Sequence, residues 1–578
     1  MKFFTSQLSS LIPTMPARRN LRLLYRFVAV LVALVIAYSI LFHLIMVMEG
    51  KEHSWITGMY WTLTVMSTLG FGDITFQSDA GRFFSIVVLL SGMVFLLILL
   101  PFTFIEFFYA PWVQAQAEAR APRRLSAATR GHVIITNYDP VSMSLIDRLV
   151  RYGYDYVLLV GDLQEALRLY DNGIKVVVGA VDRPETYRNV RADQAAMLAV
   201  TGTDQVNTNI AFTARELSDK VPIITTANSE DAVDILQLAG STHVLQLPEM
   251  MGQALARRIS GVDARTHVIG RFRDLLIAEA TAAGTPLVGK TLAEAKLRTH
   301  TGVTVIGLWK RGKLESVTAT TKIDAHSVLL LAGSEDELHA YDELFCIYHV
   351  NDAAVIIVGG GRVGRATARA LKEREVDYKI IELMPERIRD PETYIQGSAA
   401  DRATLERAGL HQAPAIIVSP HDDDNNVYLT IYIRRLRPDV QIISRATRER
   451  NVSTLHRAGA DFVLSYASMG SNAIFNFLNR ADILMVAEGL HIAETDVPSV
   501  LRGKTLAEAE IPKRTNCQVV ALRRNGVVDT RPGANTLLEA DARMVLVCTP
   551  DSEQRFLAEY GGEKIVYGNV DIADPAVH

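Results

Sequence analysis

Two glycine-containing segments have residue types and spacings that suit ligand binding by backbone groups, and the first is Thr68-Leu69-Gly70-Phe71-Gly72-Asp73. A backbone that points successive carbonyls at one axis needs unusual φ/ψ values, which glycine at alternate positions adopts without a Cβ clash. Several copies around a common axis would form rings of carbonyl oxygens that replace the water shell of a desolvated cation. Thr68 would add a hydroxyl ring. The segment therefore predicts a cation-selective filter; the alternative is a glycine turn without that role.

The second segment, Gly359-Gly360-Gly361-Arg362-Val363-Gly364, lies between an apolar run and a helical run and matches G-x-G-x-x-G. The first glycine makes a tight turn, the second lets the backbone approach a pyrophosphate, and the third allows close helix–strand packing. Glu382 closes the next strand, where an acid binds ribose hydroxyls and repels the 2′-phosphate of NADP. The pattern predicts a site for NAD or another adenine nucleotide; the alternative is a turn without a ligand.

Charged residues near this segment are open to two interpretations. Asp422 and Asp423 belong to an acidic cluster whose carboxylates suit Ca²⁺. The same cluster is also typical of a helix N-cap with solvated neighbours. Arg362 and Arg445 could pair with phosphates or be solvated arginines. We favour a ligand role for Arg362 only, because it lies inside the glycine loop.

The elements around the filter segment are apolar. Phe27–Met48 and Phe83–Ile105 contain no Asp, Glu, Lys or Arg, and each matches the roughly 20 residues that a helix needs to cross a bilayer. The first run is too long for a signal peptide and lacks a cleavage site. Arginines flank both runs on the sides away from the intervening loop: Arg18, Arg19, Arg22, Arg26, Arg120, Arg123 and Arg124. Positive flanks stay in the cytosol, so we expect a multi-pass protein with both termini cytoplasmic.

Within this membrane region, Trp55–Ser67 is predicted to form a short helix that leads into the filter segment. Gly92 and Pro101 are candidate bend points of the second span, because glycine weakens a helix and proline removes a hydrogen bond. Close helix packing at a small residue is the alternative for Gly92. Glu106 could form a cation-attracting ring at the inner mouth, but we favour a side chain that reaches the membrane interface.

Length, net charge and cysteine content limit the class of protein. A length of 578 residues suggests about three to five domains, and a net charge of −4 does not indicate nucleic-acid binding. The three cysteines, Cys346, Cys517 and Cys548, have no C-x-x-C spacing. This argues against a disulfide framework or a zinc site and fits a reducing compartment.

The cytosolic portion is a tandem repeat. Gly289–Ala295 (GKTLAEA) recurs as Gly503–Ala509, and each copy begins with an apolar strand, at 132–135 and 355–358. Strands that alternate with helical segments predict a parallel, doubly wound sheet in each copy. Each copy ends in a smaller α+β lobe. The fold class is therefore an α-helical two-span pore plus two Rossmann-like α/β domains with C-terminal lobes.

The filter sequence between two spans resembles that of potassium channels, Thr-Val-Gly-Tyr-Gly-Asp, with Phe71 in place of the tyrosine whose hydroxyl braces the filter. The tandem units resemble regulator-of-potassium-conductance (RCK) domains, also called TrkA-N and TrkA-C domains. The resemblance implies K⁺ as the permeant ion, a homotetramer in the lipid bilayer and an eight-domain gating ring. It also implies a gating hinge at Gly92 and an adenine-binding loop at Gly397-Ser398-Ala399.

We accordingly expect six segments: the pore domain 1–110, a linker 111–130, the first RCK N-lobe 131–262 and C-lobe 263–348, the second N-lobe 349–482, and the second C-lobe with a tail 483–578. The first copy has Asn137-Tyr138-Asp139-Pro140-Val141-Ser142 in place of the glycine loop, although Asp162 keeps the acid. We interpret this copy as mainly structural, or as binding something other than a dinucleotide in the usual pose.

The leading hypothesis is a plasma-membrane potassium channel, not an enzyme, that is gated by an adenine nucleotide such as NAD binding to the tandem RCK gating ring, with Ca²⁺ at the acidic cluster as a further candidate ligand. The alternative is a membrane-tethered NAD-dependent oxidoreductase. That alternative needs a proton donor or base beside the nicotinamide and leaves the filter segment unexplained.

Overall fold

The computed structural model describes most of the chain in two compact units, Met1–Pro122 and Arg123–His578. The described residues are 15–110, 113, 122–259, 265–272, 275–282, 284–310, 313–315, 317–324, 327–345, 353–478, 483–487, 490–524 and 527–561. Cys346 and half of the expected linker, residues 111–112 and 114–121, lie outside them.

The first unit is helical. Its elements are α1 (Met15–Met48), α2 (Trp55–Met66), α3 (Asp79–Gly92), a π-helical stretch (Met93–Leu99), α4 (Leu100–Phe104) and a second π-helical stretch (Ile105–Tyr109). Two helical segments are long and apolar enough to cross a membrane, Tyr25–Met48 and Asp79–Phe104. The two predicted spans and the short helix between them are thus confirmed as helices.

Aromatic side chains pack the short helix α2 against α1 and α3. The Trp61 ring stacks on Phe42 and Phe84, with centroids 5.0 and 5.7 Å away, and meets Phe76 edge-on at 5.2 Å. All four rings are buried. Because such contacts stabilise beyond the area they bury, they fix the position from which the chain leaves α2.

The second unit contains two N-lobes, each a six-stranded parallel sheet. The elements of the first are β1 (Val133–Ile135), α5 (Pro140–Arg151), β2 (Tyr156–Val160), α6 (Leu163–Asp171), β3 (Val176–Val178), α7 (Pro184–Asn189), β4 (Met197–Val200), α8 (Asp204–Arg215), β5 (Ile223–Thr226), α9 (Ala232–Leu238), β6 (His243–Leu245) and α10 (Leu247–Arg257). The first C-lobe has β7 (His267–Phe272), β8 (Leu275–Thr281), α11 (Leu292–Ala295), α12 (Leu297–Thr301), β9 (Thr304–Lys310), β10 (Lys313–Glu315), β11 (Val328–Gly333) and α13 (Glu335–Phe345).

The second copy repeats this plan. Its N-lobe has β12 (Val355–Val358), α14 (Arg362–Lys372), β13 (Tyr378–Glu382), β14 (Tyr394–Gln396), α15 (Arg402–Arg407), β15 (Ala415–Val418), α16 (Asp423–Leu436), β16 (Gln441–Ala446), α17 (Val452–Ala458), β17 (Phe462–Ser465) and α18 (Tyr466–Phe475). Its C-lobe has β18 (Ile483–Ala487), β19 (Leu490–Asp496), α19 (Leu506–Ala509), α20 (Ile511–Thr515), β20 (Gln518–Arg524), β21 (Val527–Asp529), β22 (Arg543–Cys548) and α21 (Pro550–Tyr560).

Both parallel sheets have the strand order of a dinucleotide-binding fold. The orders are β3-β2-β1-β4-β5-β6 and β14-β13-β12-β15-β16-β17, so the chain reverses direction beside the first strand of each sheet. Ligands of such sheets bind outside the carboxyl ends of the strands at this switch point. The fold therefore directs attention to the loops after β1 and β12. The C-lobe sheets are antiparallel.

The two copies exchange their last N-lobe helices. Helix α10 of the first copy packs on α14 of the second, and α18 of the second packs on α5 of the first. A Cβ on Gly252 in α10 would lie 2.5 Å from the Cβ of Ala366, and one on Gly470 in α18 would lie 2.8 Å from Val141. Because both contacts need glycine, the exchange is built into the sequence of each helix.

Candidate functional site

The filter segment follows α2 in a conformation that alternates along the chain. Thr68, Gly70 and Gly72 have φ values of 61°, 42° and 74°. The glycines supply this left-handed geometry without a Cβ penalty, whereas Thr68 adopts it at a steric cost. The alternate positive φ at Gly70 and Gly72 is the geometry that the spacing of the glycines predicts, and Thr68 extends it by one step that the sequence did not indicate.

Two hydrogen-bonded contacts hold the outer end of this segment. The Tyr60 hydroxyl donates to Asp73 Oδ2 over 3.1 Å, so an aromatic residue of α2 braces the filter although Phe71 lacks a hydroxyl. Glu49, just after α1, accepts from the backbone N–H groups of Gln77 and Ser78 and from the Ser78 hydroxyl. The Ser78 hydroxyl and these backbone donors lower the pKa of Glu49 to about 2. Its carboxylate therefore stays ionised at any physiological pH and clamps the start of α3.

Gly92 lies where α-helical hydrogen bonding in the second span changes to the π-helical stretch. A Cβ at this position would lie 2.3 Å from the Met66 Cα, at the end of α2. Close packing against α2, the alternative interpretation of this glycine, therefore describes the structure. The π-helical stretch begins directly after Gly92, so the second span is irregular at this point. Such stretches are frequent at functional sites.

At the carboxyl ends of the second parallel sheet, the structure has a cleft with a volume of about 540 Å³. Most of the predicted nucleotide-binding residues line it: Gly359, Gly361, Arg362, Val363, Glu382, Ser398 and Ala399. Gly364 does not line the cleft but supports it from behind. Arg445, one of the two arginines weighed as phosphate partners, also lines it, as do residues that the sequence did not indicate: Pro248, Ser419, His421 and Tyr466.

The glycines of the loop have distinct positions. Gly359 has φ 93°, which makes the turn out of β12. Gly361 is the N-cap of α14, and a Cβ there would meet nothing within 4 Å, so the open space next to it can hold a ligand. A Cβ on Gly364 would lie 1.9 Å from the Gly359 carbonyl oxygen. Glycine at the third position thus lets α14 approach the loop, and the helix N-terminus faces the cleft where a phosphate would bind.

Glu382 lies at the end of β13 and is buried. Its Oε2 accepts from the Gly360 N–H over 2.7 Å, and its Oε1 accepts from the Met384 N–H over 2.9 Å. The carboxylate therefore joins the glycine loop to the next turn. It lines the cleft at the position that the ribose prediction requires, but the structure adds a role in holding the loop.

Arg445 was considered as a phosphate partner on the sequence alone but was not favoured. It is only 6% exposed, so it is not a solvated arginine, and its guanidinium lies 4.5 Å from the centroid of the Tyr466 ring. Its Nη2 donates to His421 Nδ1 over 3.2 Å, while its buried Nε has no hydrogen-bond partner. Burial lowers the pKa values of both Arg445 and His421. Among the described residues no carboxylate pairs with Arg445, which leaves a buried cation at the cleft.

The acidic cluster has structural partners. Asp422 is the N-cap of α16 and accepts from the Asn425 N–H over 2.9 Å. Asp423 is nearly buried and accepts from the N–H groups of Thr447 and Arg448 and from the Asn451 amide. Within the part of the chain that the structure describes, no group of three or more His, Cys, Asp or Glu is arranged to hold a metal ion. The N-cap interpretation is confirmed for Asp422, and nothing in the geometry supports a Ca²⁺ site there.

In the first copy, side chains fill the corresponding switch point. Asp139 replaces the second glycine and caps α5 by accepting from the Ser142 N–H over 2.8 Å. Ser142 replaces the third glycine, and its hydroxyl lies 3.0 Å from that of Thr201. Asn137 donates to Asp139 over 3.1 Å. Asp162 caps α6 by accepting from the Glu165 N–H. The anion-binding end of α5 is therefore occupied by the protein's own carboxylate.

Known proteins match both the helical unit and the two α/β copies. Residues 28–108 match the ion channel family, residues 133–247 and 355–466 match the TrkA-N domain, and residues 276–345 and 490–561 match the TrkA-C domain. The solved structure of the GsuK channel bound to NAD is 34% identical with a TM-score of 0.58, and the alignment covers 94% of this chain and 100% of that chain. A second GsuK channel structure is 34% identical with a TM-score of 0.57, covering 93% and 98%.

Curated relatives are more distant. Probable potassium channel protein 2 of Methanocaldococcus jannaschii is 23% identical over 297 residues, which are 49% of this chain and 84% of that protein. The Trk system potassium uptake protein TrkA of Vibrio alginolyticus is 22% identical over 387 residues, 64% of this chain and 84% of that protein.

Two membrane-length helices around a glycine-containing segment, followed by two parallel sheets with C-terminal lobes, define an ion channel with regulatory domains. The chain belongs to the potassium channels that carry tandem RCK (TrkA-N and TrkA-C) domains. It is a membrane protein whose pore and regulatory domains are on one polypeptide.

Proposed function

We propose that four copies of the chain form a potassium channel of the plasma membrane in which an adenine nucleotide, with NAD as the first candidate, binds the second RCK domain and controls conduction. The cleft with an open helix N-terminus and an unpaired buried arginine carries this proposal. The 34% identical GsuK channel, solved with NAD bound, supports the choice of ligand. The six segments expected from the sequence remain our proposed domain boundaries.

The filter would form from Thr68 to Asp73 of each subunit, with K⁺ coordinated by backbone carbonyls. Leu69 and Phe71 are exposed in the single chain, as expected for residues whose neighbours come from adjacent subunits. The positive flanks of the spans favour cytoplasmic termini and a cytoplasmic location of both RCK domains. We propose Gly92 and the π-helical turns after it as the place where the second span bends on opening.

Assembly into a ring is supported by apolar side chains that the single chain leaves exposed on equivalent helices. Phe212 on α8 is 62% exposed, and Ile431 at the matching position of α16 is 53% exposed. Leu238 at the end of α9 is 87% exposed. Large exposed apolar side chains at matching positions of both copies are consistent with subunit interfaces.

Gating would follow from the exchange of helices. The cleft belongs to the second copy, but Pro248 in its wall comes from α10 of the first, and Tyr466 begins α18, which packs on the first copy. A bound nucleotide therefore contacts elements that connect both copies. A ligand shifts a conformational equilibrium only by its difference in affinity for the two states, and this wall can provide that difference.

The oxidoreductase hypothesis assigns the same cleft a different role. His421 is a titratable side chain in the wall of the cleft and would be a candidate proton donor or base. It is hydrogen-bonded to Arg445, however, and burial keeps its pKa below the ordinary value. No observation favours hydride transfer over regulation. Turnover of NADH by the purified protein, with any added carbonyl substrate, would support the enzyme.

The decisive test is current recording from purified protein in planar bilayers with K⁺/Na⁺ exchange and NAD added to the face that carries the RCK domains. We expect potassium-selective current whose open probability changes with NAD in the wild type and not in an Arg362→Ala, Arg445→Ala double variant. Selective current that ignores adenine nucleotides would contradict the gating proposal and leave the channel assignment intact. An absence of K⁺ current from well-folded protein would contradict both.

A further inference from the structure

Two cysteines and a histidine lie side by side in the sheet of the second C-lobe, away from the nucleotide cleft. The sheet order places β22 between β19 and β20. His491 in β19 is directly opposite Cys548 in β22. Gln518 is opposite Val547, and the same register continued by one residue places Cys517 opposite Cys548. Opposite residues of antiparallel strands have Cα atoms about 4.5–5.5 Å apart, and a disulfide spans about 4.4–6.8 Å.

The two side chains are close. Both residues are buried, and each thiol shifts the pKa of the other. Cys548 Sγ lies 3.4 Å from His491 Nε2, which lies 3.0 Å from Glu553 Oε2. Cys517 Sγ also donates to the Ser552 carbonyl oxygen over 3.3 Å. The backbone register places the two thiols side by side, and their contacts with Ser552 and, through His491, with Glu553 direct both toward the same turn of α21.

The two thiols differ in acidity. The hydrogen bond from Cys548 lowers the pKa of Cys517, whereas the same contact together with burial raises the pKa of Cys548 well above its ordinary value. The thiolate is the nucleophile in thiol oxidation, and a protonated neighbour can resolve the product. Cys517 therefore has the character of an attacking cysteine and Cys548 that of a resolving cysteine.

The first C-lobe is a natural comparison because its strands pair in the same way. Leu276 is opposite Gly333 there, at the positions of His491 and Cys548, and Val303 occupies the position of Cys517. A Cβ on Gly333 would lie 3.4 Å from the Val303 side chain, which shows how closely this pair of positions approaches. The thiol pair and its histidine are thus features of the second lobe and not of the repeated fold.

We propose that Cys517 and Cys548 are a reversible modification site at which hydrogen peroxide forms a disulfide within the second C-lobe. The Cys517 thiolate attacks one peroxide oxygen, the O–O bond breaks, and hydroxide leaves, giving a sulfenic acid. The Cys548 sulfur then attacks the Cys517 sulfur, the S–O bond breaks, and water leaves as the S–S bond forms. Both cysteines are oxidised by one electron each, and peroxide is reduced to two waters. A dithiol reductant reverses the change by thiol–disulfide exchange.

Helix α21 determines how an oxidant reaches the two thiols. This helix carries Ser552 and Glu553 over the cluster, and it is the last helix of the described chain, so local opening there exposes the thiols to a small oxidant. On the other side, the His491 ring meets Tyr152, at the end of α5 in the first copy, edge-on with centroids 6.0 Å apart. Forming the disulfide removes the Cys548 thiol from His491 next to this junction of the two copies.

The test uses the full-length protein with Cys346→Ser, so that the pair are its two cysteines. After treatment with hydrogen peroxide and removal of the oxidant, the protein is unfolded and alkylated. We expect neither cysteine to react, an intact mass lighter by two hydrogen atoms before alkylation, a peptide pair linked under non-reducing digestion, and full recovery of both thiols after dithiothreitol. Adding Cys517→Ser should leave Cys548 free to alkylate.

Three results would overturn the proposal. The first is full alkylation of both cysteines after peroxide. The second is oxidation of Cys548 at an unchanged rate in the Cys517→Ser variant. The third is protection from alkylation that a chelator removes, because a metal ion would then be bound by the two cysteines, His491 and Glu553. The peptide map of the protein with both cysteines present decides the question even if the serine variant fails to fold. None of these readouts depends on nucleotide binding or on current.

Discussion

The two parallel sheets of the second unit share a strand order, but the loops after their first strands are filled in different ways. In the second copy, Gly359, Gly361 and Gly364 leave the N-terminus of α14 facing an open cleft. In the first, Asp139 and Ser142 occupy the matching positions and satisfy the end of α5 from within the chain. A few loop residues therefore decide whether the switch point is open to a ligand, while the two sheets keep the same strand order.

The difference extends to the fifth strand of each sheet. Asn426 donates to the carbonyl oxygens of Pro420 and Arg445, and Asn207 donates likewise to those of Gly202 and Thr226. Thr226 thus occupies the position of Arg445, and the first copy has no buried cation there. A buried guanidinium without a carboxylate partner is unfavourable for folding, which is consistent with our proposal that Arg445 binds the anionic part of a nucleotide.

The largest effect is expected from Gly364→Ala. Its Cβ would lie 1.9 Å from the Gly359 carbonyl oxygen, so α14 must move away from the loop. We expect NAD affinity to fall at least about 30-fold, equivalent to about 2 kcal/mol of overpacking. Isothermal titration calorimetry on the folded variant measures this. Ser142→Ala in the first copy is the matched control and should leave the affinity unchanged; equal losses in both variants would contradict the contrast between the copies.

A somewhat smaller effect is expected from Arg445→Met. Removal of a charged hydrogen-bond donor should weaken NAD binding by about 1.5–3 kcal/mol, roughly 10- to 150-fold. The melting temperature of the nucleotide-free protein should stay the same or rise, because the variant no longer buries an unpaired charge. Thr226→Val at the matching position should change neither quantity. A lower melting temperature with unchanged affinity would show that Arg445 is structural.

The pH dependence of NAD binding tests whether His421 in the cleft of the second copy lies next to the bound phosphates. Burial and Arg445 lower the pKa of His421 in the free protein, so His421 is neutral near pH 7. A nearby phosphate favours the protonated form, so NAD affinity should increase as the pH falls below the ordinary histidine pKa of about 6.5. The pyrophosphate of NAD does not titrate in this range. His421→Asn should flatten the profile; a profile that keeps its slope in this variant would place the titrating group elsewhere.

The smallest effect is expected at the N-caps of the two equivalent helices. Asp422→Ala removes the cap of α16 and should destabilise the protein by about 1 kcal/mol, whereas Thr203→Ala at the start of α8, whose side chain makes no cap hydrogen bond, should cost less. Denaturant titration measures both. Added Ca²⁺ should not change the stability of the wild type; a stabilisation that disappears in Asp422→Ala would restore the metal hypothesis.

Much of the fold could be predicted because the signals are local. The strands at 156–160, 197–200 and 415–418 stand out as short apolar runs, and the repeated GKTLAEA segment appears twice as a capped helix start. Strands β6, β14 and β17 were not predicted: β6 and β14 have three residues of which one is polar, and β17 continues directly into α18, so no turn residue marks its end. The exchange of α10 and α18 could not be predicted, because it depends on contacts more than 100 residues apart.

The candidate site divides in the same way. Glycine spacing identified the loop after β12 and the filter segment, because backbone with positive φ or close approach favours glycine. Arg445 was interpreted as solvated because the sequence does not show burial, and its position depends on the packing of β16 against α18. Tyr60 and Glu49 reach their partners across 13 and 28 or 29 positions of the chain, so spacing alone did not indicate either contact.

The exchanged helices also determine how the second unit can come apart. Each copy completes its core with a helix that the other copy supplies. Unfolding of either copy therefore removes a packed helix from the core of the other. A protease that cuts between residues 345 and 353 should leave two fragments that remain entwined under native conditions and separate only in denaturant. Inherited or engineered damage to either copy would then lower the cooperative unfolding transition of both.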